Sequence, residues 1–177
     1  NNMSGSYLTR FSVVRYGNVI NSRGSVIPYF KSLIENRANS LPLTDERMTR
    51  FWITLDESAK FVLNSLKLMK GGEIFIPKIP SSRIYDLCKA LNSKIKIKIT
   101  GIRPGEKLHE TLISKEMSLN TLEFKKYFIV TPGMKFFDGN INYSISKDGE
   151  KGKKVKEGFE YRSDTNKHFL KREEIKK

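Results

Sequence analysis

Short β-branched apolar runs alternate with segments of helical period along most of the chain, and this alternation constrains the fold more than any other feature. Residues 11–20, Phe-Ser-Val-Val-Arg-Tyr-Gly-Asn-Val-Ile, read as a strand buried on both faces, the pattern of a parallel sheet. A helix over about residues 25–37 puts Val26, Ile27, Phe30, Leu33 and Ile34 on one face. Ser25 suits its N-cap, and Pro28 falls in the first turn, where a missing N–H costs little. Residues 40–44 are extended, with Pro42 arguing for an edge. Residues 49–55, which hold the only Trp, form a central extended run. A helix from residue 56 or 58 to about 70 is expected to bury Phe61, Val62, Ser65, Leu66 and Met69 and to stop at Gly71-Gly72. Residues 73–77 are a further strand, and Ser81 is expected to cap a helix carrying Ile84, Leu87, Cys88 and Leu91. Residues 94–99 alternate Lys and Ile, a half-exposed strand whose lysines sit in water and discourage edge pairing. Tyr127–Val130 is the last apolar strand, and residues 146–177 read as an extended tail, partly mobile, laid over the domain. This order implies an α/β fold.

The net charge of +14 admits a nucleic-acid or anionic-surface partner. The lysines are spread out or interleaved with acids, which suits a solvated surface. Aromatic residues are not interleaved with one basic stripe, as a stacking platform requires. A basic nucleic-acid-binding module is therefore the alternative, and no nucleic-acid partner is expected. One cysteine excludes an internal disulfide, and Cys88 reads as a small buried hydrophobe. No apolar run approaches the roughly 20 residues that span a bilayer, so no membrane partner is expected and the cytoplasm is the expected location. The chain opens on Asn1-Asn2, as if entered in the middle of a larger protein.

Three arginines stand at element junctions: Arg23 before Gly24-Ser25, Arg50 at the head of the Trp-bearing run, and Arg103 before Pro104-Gly105-Glu106. Guanidinium forks match phosphate oxygens bidentately, so a diphosphate is a natural common partner. Three separate caps or surface ion pairs are the competing account. Arg23-Gly24 also precedes a helix start, where free N–H groups favour an anion. Asn18, at the carboxyl end of the first strand, would point into a binding crevice or serve as a turn residue. Glu106 and His109 fit an acid/base pair, or a histidine that orients a loop. No Cys/His cluster has metal-ligand spacing, and no nucleophile elbow or dinucleotide glycine fingerprint is present.

Five ordered segments carry a family resemblance: 13–19 (Val-Val-Arg-Tyr-Gly-Asn-Val), 22–26 (Ser-Arg-Gly-Ser-Val), 48–55 (Met-Thr-Arg-Phe-Trp-Ile-Thr-Leu), 71–78 (Gly-Gly-Glu-Ile-Phe-Ile-Pro-Lys) and 101–110 (Gly-Ile-Arg-Pro-Gly-Glu-Lys-Leu-His-Glu). With Phe159-Glu160-Tyr161, they resemble the C-terminal half of the inverting UDP-N-acetylglucosamine 4,6-dehydratases. These are extended short-chain dehydrogenases of the pseudaminic acid pathway, close to other polysaccharide-biosynthesis enzymes. The resemblance implies an incomplete Rossmann sheet plus a small α/β substrate domain. It makes residues 1–37 the last part of the dinucleotide-binding domain and the substrate loop, 38–137 the substrate-binding subdomain, and 138–177 a C-terminal extension. It implies an NADP-dependent lyase that oxidises C4 of the sugar, eliminates water across C5–C6, and returns hydride to C6 with inversion at C5. It assigns Asn18 and Arg23, Gly24, Ser25, Val26 and Ile27 to the UDP-sugar, Val19 to the nicotinamide side through its backbone, and Arg50 and Arg103 to the diphosphate and uridine, with Thr44 and Glu106 nearby. It also implies a homo-oligomer at full length. Two departures stand out. Asn21 occupies a position where relatives usually have Gly, and the glycine fingerprint, the Thr-Asp-Lys segment and the catalytic Tyr-x-x-x-Lys pair would all lie upstream. This chain would then hold no catalytic residue, bind NADP mainly through a missing N-terminal half, and be inactive alone. A related nucleotide-sugar epimerase fragment is the alternative within the family.

Overall fold

The run at residues 11–20 does not form one strand. In the computed structural model, which describes residues 9–134 and 141–175, it makes two short ones, β1 (Val13–Val14) and β2 (Asn18–Val19). The break falls at Gly17, where an added Cβ would lie 2.4 Å from the Phe51 Cβ and 2.7 Å from its carbonyl oxygen. Both pieces pair in parallel, as expected, but with different strands. Neither is buried on both faces: Val13 and Asn18 are exposed. The other elements follow in chain order: α1 (Val26–Glu35), β3 (Ser40–Leu43), β4 (Thr49–Ile53), α2 (Leu55–Leu68), β5 (Ile74–Pro77), β6 (Ser81–Arg83), α3 (Ile84–Leu91), β7 (Lys96–Ile99), β8 (Thr111–Ile113), a 3-10 helix (Glu116–Asn120), β9 (Thr121–Glu123), β10 (Tyr127–Val130), β11 (Lys153–Lys154), β12 (Tyr161–Arg162) and α4 (Arg172–Ile175). The class is α/β, as the alternation implies.

These elements form two compact units interleaved in sequence. Of the described residues, one takes those within 1–16, 56–78 and 112–161, the other those within 17–55, 79–111 and 162–177. The sequence-based division at 37/38 and 137/138 cuts the chain by role instead, and its second boundary lies outside the described residues.

The first unit is built on a five-stranded sheet of order β1-β5-β10-β9-β11. β1 runs parallel to β5, and the other pairings are antiparallel. Phe75, Leu122, Phe124, Tyr127 and Ile129 form its core, with Val14, Phe61, Leu68 and Met69 packed against them. The turn before β5 is fixed by a carboxylate. Glu73, 1% exposed, accepts from the Lys70 N–H (2.5 Å), the Gly71 N–H (2.7 Å) and the Ser12 hydroxyl (3.0 Å). Helix α2 meets its surroundings by a narrower stripe than its sequence suggests. Ser58 and Ser65 are buried, whereas Val62 and Leu66, expected inside, are exposed along with Leu63. The tail enters this unit as an edge strand, β11, and the rings of Phe159 and Tyr161 pack on Phe128 at 5.5 and 5.2 Å.

In the second unit a three-stranded sheet runs β2-β4-β6, and β3 pairs in parallel with β7. The core gathers Ile27 and Phe30 of α1, Leu41, Leu43, Met48, Trp52, Ile95, and Ile84, Leu87 and Cys88 of α3. Cys88 is fully buried, and burial pushes its thiol up to about 12, as befits a packing residue. Ser81 does not cap α3. It belongs to β6, antiparallel to β4, and Arg83 holds the N-cap position. The reason lies in β4: its edge takes β6 as a partner, and the Trp52 indole N–H donates to Ser82 Oγ at 2.8 Å. The lysines of β7 are exposed, as expected. The described end of the tail is hydrogen-bonded to the chain around Ser81. The Ser81 N–H donates to the His168 carbonyl, the Leu170 N–H to the Ser81 carbonyl, the Asn166 side chain to the Ile79 carbonyl, and α4 packs on α3. Main-chain bonds, which carry no apolar signature in the sequence, attach this part of the tail.

Candidate functional site

Strand β4 organises the candidate site, which lies within the second unit. At its start, the Arg50 guanidinium donates through Nη1 to the carbonyls of Thr49 (2.7 Å) and Leu108 (3.2 Å), and through Nη2 to that of Lys107 (2.8 Å). Its Nε lies 3.5 Å from Glu110 Oε1, and the side chain is 12% exposed. Burial lowers its pKa from the ordinary arginine value, while Glu110 and Glu106 pull it back up. Most of the fork is therefore committed to the 107–110 segment.

The neighbouring residue clamps the same segment. Thr49 Oγ1 lies 2.8 Å from His109 Nδ1 and 2.6 Å from Ser163 Oγ. Ser163, fully buried, donates its N–H to the Glu110 carbonyl, and the Glu110 N–H donates to Ser163 Oγ. Asp164 approaches His109 Nε2 at 3.8 Å and accepts from Arg162 at 2.9 Å. Although burial pulls the other way, the bonds from Arg162 and its own main chain, with His109 nearby, hold the Asp164 carboxyl below the usual range. His109 thus orients a loop, the second of the roles its sequence admits. Nothing in the sequence singles out Ser163 or Asp164, because they come from the polar tail.

Upstream, the Thr44 hydroxyl donates to Glu106 Oε1 at 3.2 Å, and the Arg103 N–H reaches Glu106 Oε2 at 3.3 Å. The Thr100 N–H donates to the Leu43 carbonyl. Arg103 is exposed on the turn so fixed, and its guanidinium has no partner among the described residues.

On the other side of β4, Asn18 pairs with Trp52 and Val19 with Ile53. Asn18 is exposed at the level of the strand just past Arg50. The chain then turns tightly, with the Ser22 N–H on the Val19 carbonyl and the Ser25 N–H on the Ser22 carbonyl. Asn21 sits at φ 59°, a left-handed conformation that Gly adopts freely and Asn tolerates. Ser25 holds the extended N-cap position of α1, yet its hydroxyl makes no capping bond and is buried without a partner among the described residues. Arg23 and Gly24 are exposed on this turn, Val26 is half-buried, and the Ile27 side chain lies in the core, so only its main chain is available to a ligand.

Hydrogen bonds therefore join Thr44, Arg50, Glu106 and the Arg103 main chain through one clamped loop, and strand pairing sets Asn18 and Val19 beside the same β4. No hydrogen bond or ion pair among the described residues links Arg23 to Arg50 or Arg103. Two pairs have the spacing Tyr-x-x-x-Lys, and neither has the freedom of an acid/base pair. Tyr85 packs against the core and Lys89 donates to the Ile95 carbonyl. The Tyr143 hydroxyl donates to the Gly71 carbonyl. Among the described residues no His, Cys, Asp and Glu cluster could hold a metal ion, and no helix is long and apolar enough to cross a membrane.

The family model described as "Polysaccharide biosynthesis protein" matches residues 1–132. The chain belongs to this family. Two similar proteins are both called UDP-N-acetylglucosamine 4,6-dehydratase (inverting), from Campylobacter jejuni serotypes O:2 and O:23/36. The first is 56% identical over 94% of this chain and 50% of its own length, the second 53% identical over 99% and 52%. Among solved structures, Pen from Bacillus thuringiensis superposes with a TM-score of 0.80 at 34% identity, over 97% of this chain and 50% of its own. The chain thus spans about half the length of the curated relatives it matches.

Proposed function

We propose that the chain is the UDP-sugar-binding half of an inverting UDP-N-acetylglucosamine 4,6-dehydratase, an NADP-dependent lyase of surface-polysaccharide or pseudaminic acid biosynthesis acting in the cytoplasm. The observation that carries the reading is the Arg103 turn: its base is immobilised by Arg50, Thr49 and Thr44, while its guanidinium is left unpaired. A loop held rigid with a free fork at its tip is suited to an anion whose position matters. The names of the two Campylobacter relatives supply the substrate class. In this reading Arg103 and Arg23 contact the diphosphate directly. Arg50 positions the loop with at most one free N–H for the ligand. Asn18, the Gly24 and Val26 main chains and the orphaned Ser25 hydroxyl line the sugar side, and Thr44 sets Glu106.

For the dinucleotide this chain offers little. It has no glycine fingerprint, and the Val19 carbonyl, its main-chain contribution, already accepts one bond from Ser22. The fit is with a nicotinamide that touches Val19 but is held by another segment. When bound, that group supplies hydride removal from C4 of the sugar and hydride return at C6. The groups that would move the C4 hydroxyl proton are not among these residues, so activity belongs to the full-length protein, which we expect to be a homo-oligomer.

The test is Arg103→Ala in the full-length protein. Affinity for UDP-N-acetylglucosamine should fall roughly tenfold to a hundredfold, the equivalent of one charge-assisted bond pair, with the melting temperature unchanged. Unaltered affinity would remove Arg103 from the site. Failure of the unaltered protein to form a 4-keto-6-deoxy sugar would overturn the reaction assignment.

A further inference from the structure

A second candidate binding site lies in the other compact unit, away from the arginine turns in sequence. A cavity of about 620 Å³ opens beside the C-terminal half of α2, within the size range of small-molecule sites. Phe61 and Leu68 of α2, with Phe75 of β5 and Tyr127 of β10, give it an apolar, largely aromatic floor. Its rim carries Lys67, Lys125, Lys126 and Lys147, none of whose ammonium groups has a partner among the described residues. Two carboxylates share the rim, but both have local tasks. Glu150 accepts the Lys125 N–H at 2.6 Å, and Asp148 accepts the Ser146 hydroxyl. They hold the 146–150 turn in place and leave the four lysines in excess.

Tyr127 contributes its ring to the floor. Tyr127 is 7% exposed, and its hydroxyl is buried beside the Ser146 side chain. Burial, with Glu150 and Asp148 nearby, pushes its pKa up to about 12, although the Ser146 hydroxyl pulls the other way.

We propose that this cavity binds a small organic phosphate: an aromatic or other apolar body on the Phe61–Phe75 floor and its dianion among the lysine ammoniums. Lysines act as compact point charges, which suits a phosphate more than a planar carboxylate that calls for an arginine fork. The site does not depend on the UDP-sugar reading.

Phenyl phosphate is the simplest probe of this class, titrated by calorimetry into the full-length protein, with inorganic phosphate and phenol as its two halves. It should bind at least roughly tenfold more tightly than either half, since ring and dianion act together. Changing Lys125→Ala and Lys126→Ala together should weaken it by about tenfold, because both are exposed and only their side chains are lost. Arg103→Ala should leave it unchanged. Equal affinity for inorganic phosphate would overturn the proposal. So would binding that survives the lysine changes or disappears with Arg103→Ala.

Discussion

Arg50 and Arg103 look alike in sequence, each an arginine at an element junction, and the structure gives them different work. The guanidinium of Arg50 is buried against three main-chain carbonyls and Glu110, and that of Arg103 is exposed and unpaired. The two should separate experimentally. Arg50→Lys keeps the charge but loses the fork, leaving the Lys107 and Leu108 carbonyls without their donor. We expect a loss of about 2–3 kcal/mol in stability from charge-to-carbonyl bonds, read from the urea midpoint, together with weaker UDP-sugar binding as the loop slackens. Arg103→Ala should lower affinity alone. If Arg50→Lys weakens binding at unchanged stability, Arg50 contacts the ligand and is not a positioning residue. The sequence shows that arginines gather at turns. It does not show which one faces inward, because the carbonyls that capture Arg50 lie 57 and 58 residues away and reach it only through the fold.

Elements were legible where their own side chains carry the signal. The apolar faces of α1 and α3 follow helical spacing, and β7 shows its Lys–Ile alternation with the lysines in water. They were not legible where partners set them. The two-residue strands β1 and β2 exist because β5 and β4 receive them, and β6 displaces a helix cap because β4 has an edge to fill. The turn between α2 and β5 shows both sides of this. Gly71-Gly72 announces a stop, but what fixes the turn is the buried Glu73 carboxylate, which collects two main-chain N–H groups and the Ser12 hydroxyl. Glu73→Gln keeps the shape and removes the charge, and one of its two positions then presents donors to donors. The expected cost is about 2–4 kcal/mol, summed from weakened charge-assisted bonds and one N–H left unpaired, seen as a lower urea midpoint with the slope unchanged. A variant within about 0.5 kcal/mol of the parent would mean that the glycines alone hold the turn.

Across the whole molecule, acid stability follows from carboxylates that the fold keeps ionised. Asp45 is lowered to about 2 by the Arg47 side-chain and main-chain bonds. Asp164 is held down by Arg162 against the effect of burial, Asp148 by the Ser146 hydroxyl, and Glu116 by Ser114. Each has a folded pKa below its unfolded value of about 3.9 for Asp or 4.3 for Glu. The unfolded chain therefore binds more protons in the interval between, and stability falls as pH falls through it. The contribution is complete above the unfolded values and drains between roughly pH 4 and pH 2. A second effect acts in the same direction: protonating acids on a chain already at +14 raises its self-repulsion. Salt separates the two, since it screens diffuse repulsion more than short hydrogen bonds. In moderate salt, urea midpoints should hold steady from pH 7 to 5 as far as these groups are concerned, then drop between pH 4 and 2. Replacing Asp45→Asn and Asp164→Asn together should flatten that drop while lowering the midpoint at pH 7. If the double variant shows the parent's full acid loss, the Arg47 and Arg162 bonds do not set the acid limit, and net charge does.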